Sequence, residues 1–368
     1  MAASRKDAPR DPIEEACRLN DAAVADHARG KADRALTLFR RALRLIEDAC
    51  GPESPDGANV LGSIAAIHED RCRFAEAEAL YERAATIMDG LEPGDDDEER
   101  GRLRLRTLSN LGRIRRIRGR YDEAEPPLRR ALAIAEKELG PGSFETAMAL
   151  NDLGMLCKFR GCFREAKSLY RRALRILERH HDREHQALAS LHHNLGGLAH
   201  ARGRHEEGEP HARRSVELRE RDLPPDHPDV AADVAALAAL LDGQGRFDES
   251  EPLYRRALAT FERACGPDHY EVAVNLNNLA VVRQARGDLE DADRLLTRAL
   301  ALKEKLFGPD GVEYATTANN LALLRAEQGR HDEAVELHRR AMAAFERALS
   351  PKHPSLRTCR ANAAILRR

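Results

Sequence analysis

The chain has 368 residues, with 60 Lys and Arg against 62 Asp and Glu, a formal charge of −2 and 33% charged residues. That balance excludes bulk electrostatic attraction to nucleic acid or an anionic membrane, and no apolar run approaches the roughly 20 residues of a membrane span. Seven cysteines, an odd number without a CxxC, read as reduced and mostly buried thiols, which makes a cytoplasmic protein the simplest expectation.

In chain order, Met1 to Arg10 is polar and lacks the apolar stretch of a signal peptide, so 1–11 reads as a disordered tail. Asp11, Pro12 and Glu14 supply an N-cap, a first-turn proline and a capping-box partner, which predicts that the first helix starts there. From Gly30 a short phrase recurs eight times: Gly, a basic or polar residue, a bulky residue, two mostly polar residues, then a small residue. Gly119-Arg120-Tyr121-Asp122-Glu123-Ala124 is a clear copy. Its anchors are Gly30, Cys72, Gly119, Gly161, Gly203, Gly245, Gly287 and Gly329, separated by six steps of 42 residues and one of 47. A fixed period of this length marks a solenoid, each unit burying its apolar face against its neighbours.

Within a unit the apolar spacing is helical. Leu150, Leu153, Gly154 and Cys157 form one stripe that Gly161 terminates, and Ala166, Leu169, Tyr170, Ala173, Leu174 and Leu177 form the next. Small residues such as Gly154 and Ala166 let the two helices approach. Pro126, Pro127, Pro210 and Pro252 fall inside second helices, where a break is the general rule; the repeat context predicts continuous helix, with repeat three loosened by its double proline. Repeat five, carrying His205, Gly208 and Ser215, is expected to be the weakest-packed unit. The longer step reflects an acidic insertion at 90–100, expected to be a mobile loop. The array then spans 12–353, and 354–368 supplies a capping helix.

These motifs resemble the tetratricopeptide repeat, whose standard unit is about 34 residues. The match includes Leu at the seventh position (Leu111, Leu153, Leu195, Leu237, Leu279, Leu321), Gly or Ala at the eighth, and a small residue at the twentieth. The 42-residue period and phrases such as Leu276-Asn277-Asn278-Leu279-Ala280 are similar to the kinesin light chain subclass. The resemblance implies an all-α, right-handed superhelical solenoid of eight hairpins plus a C-terminal helix, its first helices lining a concave peptide-binding surface.

There is no GxxxxGK[ST], GxGxxG, HExxH or GxSxG constellation, so neither enzyme chemistry nor a cofactor is expected. Histidines crowd between His180 and His227, including His181, His185, His192 and His193, but no carboxylate or cysteine pattern completes a metal set. The arginine pairs on second helices, such as Arg213-Arg214 and Arg255-Arg256, follow Glu209 and Glu251 by four residues, and aromatics for base stacking are missing. They read as a solvated, ion-paired face and not a nucleic-acid stripe.

The candidate site lies on the first helices. Asn110, Asn151, Asn194, Asn277, Asn278, Asn319 and Asn320 occupy slots that the resemblance turns towards the groove, where an amide can both donate to and accept from an extended backbone. Arg106, Arg113, Arg116, Lys158, His193 and His200 make the middle of that groove basic, the first four expected to lack local partners, while Glu69, Asp70, Asp242, Gln284 and Glu327 occupy matching slots elsewhere. The expected function is a non-catalytic interaction scaffold that binds an extended, acidic segment of a partner protein. The alternatives are a regulatory subunit of a separately encoded effector and a self-associating assembly.

Overall fold

The computed structural model describes residues 11–90, 97–180, 186–364 and 366. Among these, every regular element is a helix. The hairpins are α1 (Pro12–Ala28) with α2 (Ala32–Cys50), α3 (Pro55–Asp70) with α4 (Phe74–Asp89), α5 (Asp97–Ile117) with α6 (Tyr121–Ile134), and α7 (Phe144–Phe159) with α8 (Phe163–His180). They continue as α9 (Gln186–Ala201) with α10 (His205–Asp222), α11 (Pro228–Asp242) with α12 (Phe247–Cys265), α13 (Tyr270–Ala285) with α14 (Leu289–Phe307), and α15 (Val312–Glu327) with α16 (His331–Ala348). A final α17 spans Pro354–Asn362. The chain divides into two compact units, one of residues up to Arg115 with Pro126–Leu139, the other of Arg116–Glu125 with Gly140 onwards.

Local chemistry accounts for the boundaries. The Asp11 side chain accepts from the Ile13 amide and Pro12 opens α1, as the sequence predicts. All eight anchors adopt the left-handed conformation that ends a first helix. Seven are glycine; the eighth, Cys72, takes φ 55° despite its β-carbon. Pro210 and Pro252 lie within continuous helices, and α6 runs through Pro126 and Pro127 before one π-helical turn at Ala135–Leu139. The rung each proline removes is tolerated in a helix held by a deeply buried face; in repeat three Pro127 is itself on that face, with Ala124, Leu128 and Ala131.

The core follows the repeat. Phe39, Tyr81, Leu128, Tyr170, Ala212, Tyr254 and Leu296 occupy one second-helix slot, and all are buried. Opposite them the first helix is small: a β-carbon on Gly154 would come within 2.7 Å of the Tyr170 ring. Repeat five uses Ala212 in the large-residue slot, and Leu240 of the next unit fills the space. A β-carbon on Gly208 would lie 2.6 Å from Leu240 Cδ2, so this unit is closely packed, contrary to the expectation from its composition.

Two ladders bind successive units. On the second helices, Arg83 reaches Glu47 (2.5 Å), Arg256 reaches Glu220 (2.9 Å) and Arg340 reaches Glu304 (2.8 Å), each pair 36 residues apart. Arg298 pairs with Glu262 in the same way at 2.8 Å. The pairing predicted within a helix is present for Arg213–Glu209 and Arg255–Glu251, while the second arginine of the pair in repeat six, Arg256, clasps the preceding unit. On the first helices a ladder of amides performs the same service, and it bears directly on the candidate site.

Two further expectations need correction. Residues 97–100 open α5 and do not belong to a loop; 91–96, like 1–10 and His181 to His185, lie outside the described residues. The thiols are not mostly buried: Cys157 and Cys359 are, but Cys17, Cys50, Cys162 and Cys265 are exposed. Cys162 follows the left-handed turn at Gly161, which carries it out of the helix-helix seam. No described helix is long and apolar enough to cross a membrane.

Candidate functional site

Most of the asparagines singled out in the sequence join one first helix to the next. Asn194 Nδ2 donates to Asn151 Oδ1 at 2.8 Å, Asn320 Nδ2 to Asn277 Oδ1 at 3.1 Å, and Asn362 Nδ2 to Asn319 Oδ1 at 3.2 Å, each pair 43 residues apart. Asn277 Oδ1 also accepts from Thr317, and its amide donates to Asn278 at 3.3 Å. Asn151, Asn194, Asn277 and Asn319 are buried. A buried amide must be hydrogen-bonded, and a repeat interface supplies the partner one period away. Asn278 and Asn320 remain half-exposed.

Several of the charged positions are similarly engaged. In the first unit Arg113 forms an ion pair with Glu69 and donates to Asn110 Oδ1 at 3.2 Å, while Arg106 donates to Asn59 at 2.5 Å. The expectation that Arg106 and Arg113 lack local partners is therefore corrected: Glu69 and Asn59 sit on the preceding first helix. In the second unit His193 meets Asp233 at 2.7 Å, and Asp233, 1% exposed, also accepts from Arg219 Nε at 2.9 Å. The matching slots behave alike, with His27 on Asp70 at 2.8 Å and Gln284 on Glu327 at 2.7 Å. The Asp242 carboxyl is pushed up to about 6 by burial.

The second unit also brings together a different group. The guanidinium of Arg116 and the ammonium of Lys158 each lie 4.9 Å from the centre of the Phe159 ring, the geometry of a cation–π contact. Gly197 makes room for the lysine, since a β-carbon there would stand 3.3 Å from Lys158 Nζ. Burial, reinforced by the Arg116 charge, lowers the Lys158 pKa to about 8. His200 lies nearby, its ring centre 5.1 Å from that of His205; burial first, then the His205 and Lys158 charges, lower its pKa to about 4. Although His200 is solvent-accessible on its own helix, these neighbours crowd it. Phe159 itself packs 6.3 Å from Tyr121. The sequence exposed Arg116, Lys158 and His200 as candidates but not Phe159, whose ring was hidden at the end of a stripe. Both cations are thus within reach of one aromatic ring, close enough to each other for the Arg116 charge to depress the lysine.

The tetratricopeptide repeat family model matches residues 14–89, 103–179, 187–247, 231–305 and 313–368. The chain belongs to the tetratricopeptide repeat family. No curated protein matches it. Among solved structures it is similar to the Rap conjugation gene regulator of the plasmid pLS20 in complex with the Phr* peptide. The identity is 16%, with 80% of this chain and 75% of that one covered, at a TM-score of 0.60. The apo quorum sensor NprR from B. thuringiensis is 14% identical over 88% of this chain and 82% of that one, at a TM-score of 0.52. BtubC (BKLC) from P. vanneervenii is 23% identical over 64% of this chain and 88% of that one, at a TM-score of 0.43. These likenesses concern the fold.

Proposed function

We propose that this protein is a cytoplasmic, non-catalytic interaction module whose first-helix surface takes up an extended, acidic segment of a partner protein. The observation that carries the reading is the Lys158 ammonium over the Phe159 ring: burial, then the Arg116 charge, disfavours its charged form, and an incoming carboxylate would restore it. Half-exposed Asn278 and Asn320 each spend one group on Asn277 and keep the other end of the amide for a peptide backbone, Asn278 its Nδ2 and Asn320 its Oδ1. The buried asparagines are left out of the binding surface, because their hydrogen bonds are spent between units. Nucleic acid is a poor fit, since many outer-face arginines are paired with carboxylates one unit away.

The test uses fluorescent hexaglutamate and hexaglutamine peptides on the intact chain. Hexaglutamate should bind more tightly than hexaglutamine, should weaken as salt rises, and should lose roughly tenfold in affinity on Lys158→Ala, within the range for hydrogen bonds to charged groups. Equal affinity for the two peptides would remove acidity as the recognised property.

A second reading is a regulatory sensor that responds to a peptide and acts on a separate effector. It is favoured by the similarity to a Rap regulator solved with the Phr* peptide and to a quorum sensor. A partner whose activity changes when the groove is filled, with no recruitment of further proteins, would select it.

A further inference from the structure

Two anchor turns of the second unit do more than end their helices. At Gly119 a β-carbon would stand 3.4 Å from Val312 Cγ2, and at Gly161 one would stand 2.7 Å from Pro354 Cδ. Val312 and Pro354 are the first residues of α15 and α17. In both places a turn meets the start of the first helix five units further on, so one contact is made twice in the same register. The corresponding turns at Gly203, Gly245, Gly287 and Gly329 face open space.

A hydrogen bond fastens the second contact. His353 Nε2 lies 2.7 Å from the carbonyl oxygen of Phe159, a residue 194 positions away. The other ring nitrogen, Nδ1, accepts from the Ser355 amide at 3.2 Å and caps α17. That cap fixes the tautomer: the proton sits on Nε2 and is donated to the carbonyl. His353 is nearly buried, and burial lowers its pKa, which keeps this neutral form in place.

Phe159 therefore works in two directions. Its carbonyl holds the C-terminal helix, and its ring carries Arg116 and Lys158. Arg116 in turn lies three residues before Gly119, at the other turn-on-helix contact.

We propose that the Gly119–Val312, Gly161–Pro354 and Phe159–His353 contacts form a latch that closes the repeats of the second unit on themselves, and that Phe159 couples this latch to the cation pair. The latched form presses Lys158 towards Arg116 over one ring; releasing α17 frees the backbone that positions that ring and lets the cations separate. Coupling of this kind is reciprocal, so whatever changes the charge at the pair is felt at α17. This proposal goes beyond the ligand reading above and does not require it.

The test is a competitive acetylation of Lys158 followed against pH, together with the radius of gyration from small-angle scattering, on the full chain. His353→Asn keeps a strong N-cap for α17 but cannot reach the Phe159 carbonyl. Gly161→Ala pushes Pro354 away from the opposite side. The titratable groups facing Lys158 are Arg116, which is charged, and His200, which is neutral near pH 8, and both are retained in these variants. In each variant the Lys158 labelling midpoint should rise by about one pH unit from its value near 8, and the radius of gyration should increase, with helical content unchanged. A wild-type midpoint and radius in His353→Asn would overturn the latch; a larger radius with an unshifted midpoint would overturn the coupling through Phe159.

Discussion

His192 and His211 meet Nδ1 to Nδ1 at 2.9 Å across the two helices of repeat five, so one ring donates and the other must accept. The accepting ring must then be neutral, and burial works against charge on either ring. Burial first, then the charges of His211 and Arg214, lower the His192 pKa to about 4, and burial also lowers that of His211. In the unfolded chain these groups titrate near 6.5. Between those values the unfolded state binds more protons, so stability is full above about pH 6.5 and falls as pH drops towards 4. Denaturation midpoints should decline through that window, and His192→Phe, which cannot charge, should flatten the decline. An unchanged profile in that variant would refute the assignment.

The buried amide ladder should matter for stability. Asn151→Ala leaves the Asn194 amide without its acceptor and should cost about 1–3 kcal/mol. Asn278→Ala removes only the longer, 3.3 Å acceptor of the Asn277 amide at a half-exposed position and should cost less, about 1 kcal/mol or below. Equal losses in urea unfolding would contradict the distinction between clasping and groove-facing amides.

Arg113 is expected to behave as a structural residue. Its partner Glu69 is largely buried, so Arg113→Ala strands a carboxylate. A double-mutant cycle with Glu69→Gln should show coupling of roughly 0.5–3 kcal/mol in stability, while hexaglutamate binding changes far less than in Lys158→Ala. Negligible coupling would return Arg113 to the groove.

Cys72 stands where the other seven anchors are glycine, at φ 55°. Cys72→Gly relieves a left-handed β-carbon but gains freedom in the unfolded chain; the first effect should win, giving a net stabilisation of about 1 kcal/mol. A lower urea midpoint in this variant would mean that the thiol's own contacts outweigh the backbone term.

The helical pairing was legible because one period repeats the same pattern eight times: a left-handed residue, glycine in all but one copy, then a small residue and an apolar second-helix stripe. Repeat five misled for the opposite reason. Gly208 and Ala212 look deficient within their own unit, and Leu240, which completes the packing, comes from the next. Residues 97–100 read as loop from their acidity, but acidic residues favour a helix N-terminus and they open α5. The site was legible as a set of residue types and not as a division of labour. Asn151 and Asn278 look alike in the sequence; whether an amide bonds to the neighbouring unit or points outward depends on a register between helices 43 residues apart. Arg113 and Lys158 likewise share a pattern, but only the former finds a carboxylate, Glu69, on the preceding first helix.

The second-helix ladder has a consequence for how such a chain can change. Arg83, Arg256 and Arg340 all look back by the same 36 residues to an acidic partner. Excising one whole period between two units that carry this pair would bring an arginine opposite a carboxylate equivalent to the one it lost. The chemistry of each joint is thus indifferent to which two neighbours it connects. Gain or loss of an entire unit therefore preserves every joint, whereas a change of a few residues is felt only at the joint it falls in: the five extra residues of the 47-residue step leave the pairs at Arg256, Arg298 and Arg340 at their 36-residue spacing. Array length in this sequence is free to drift in multiples of its period, and an irregular step stays a local event.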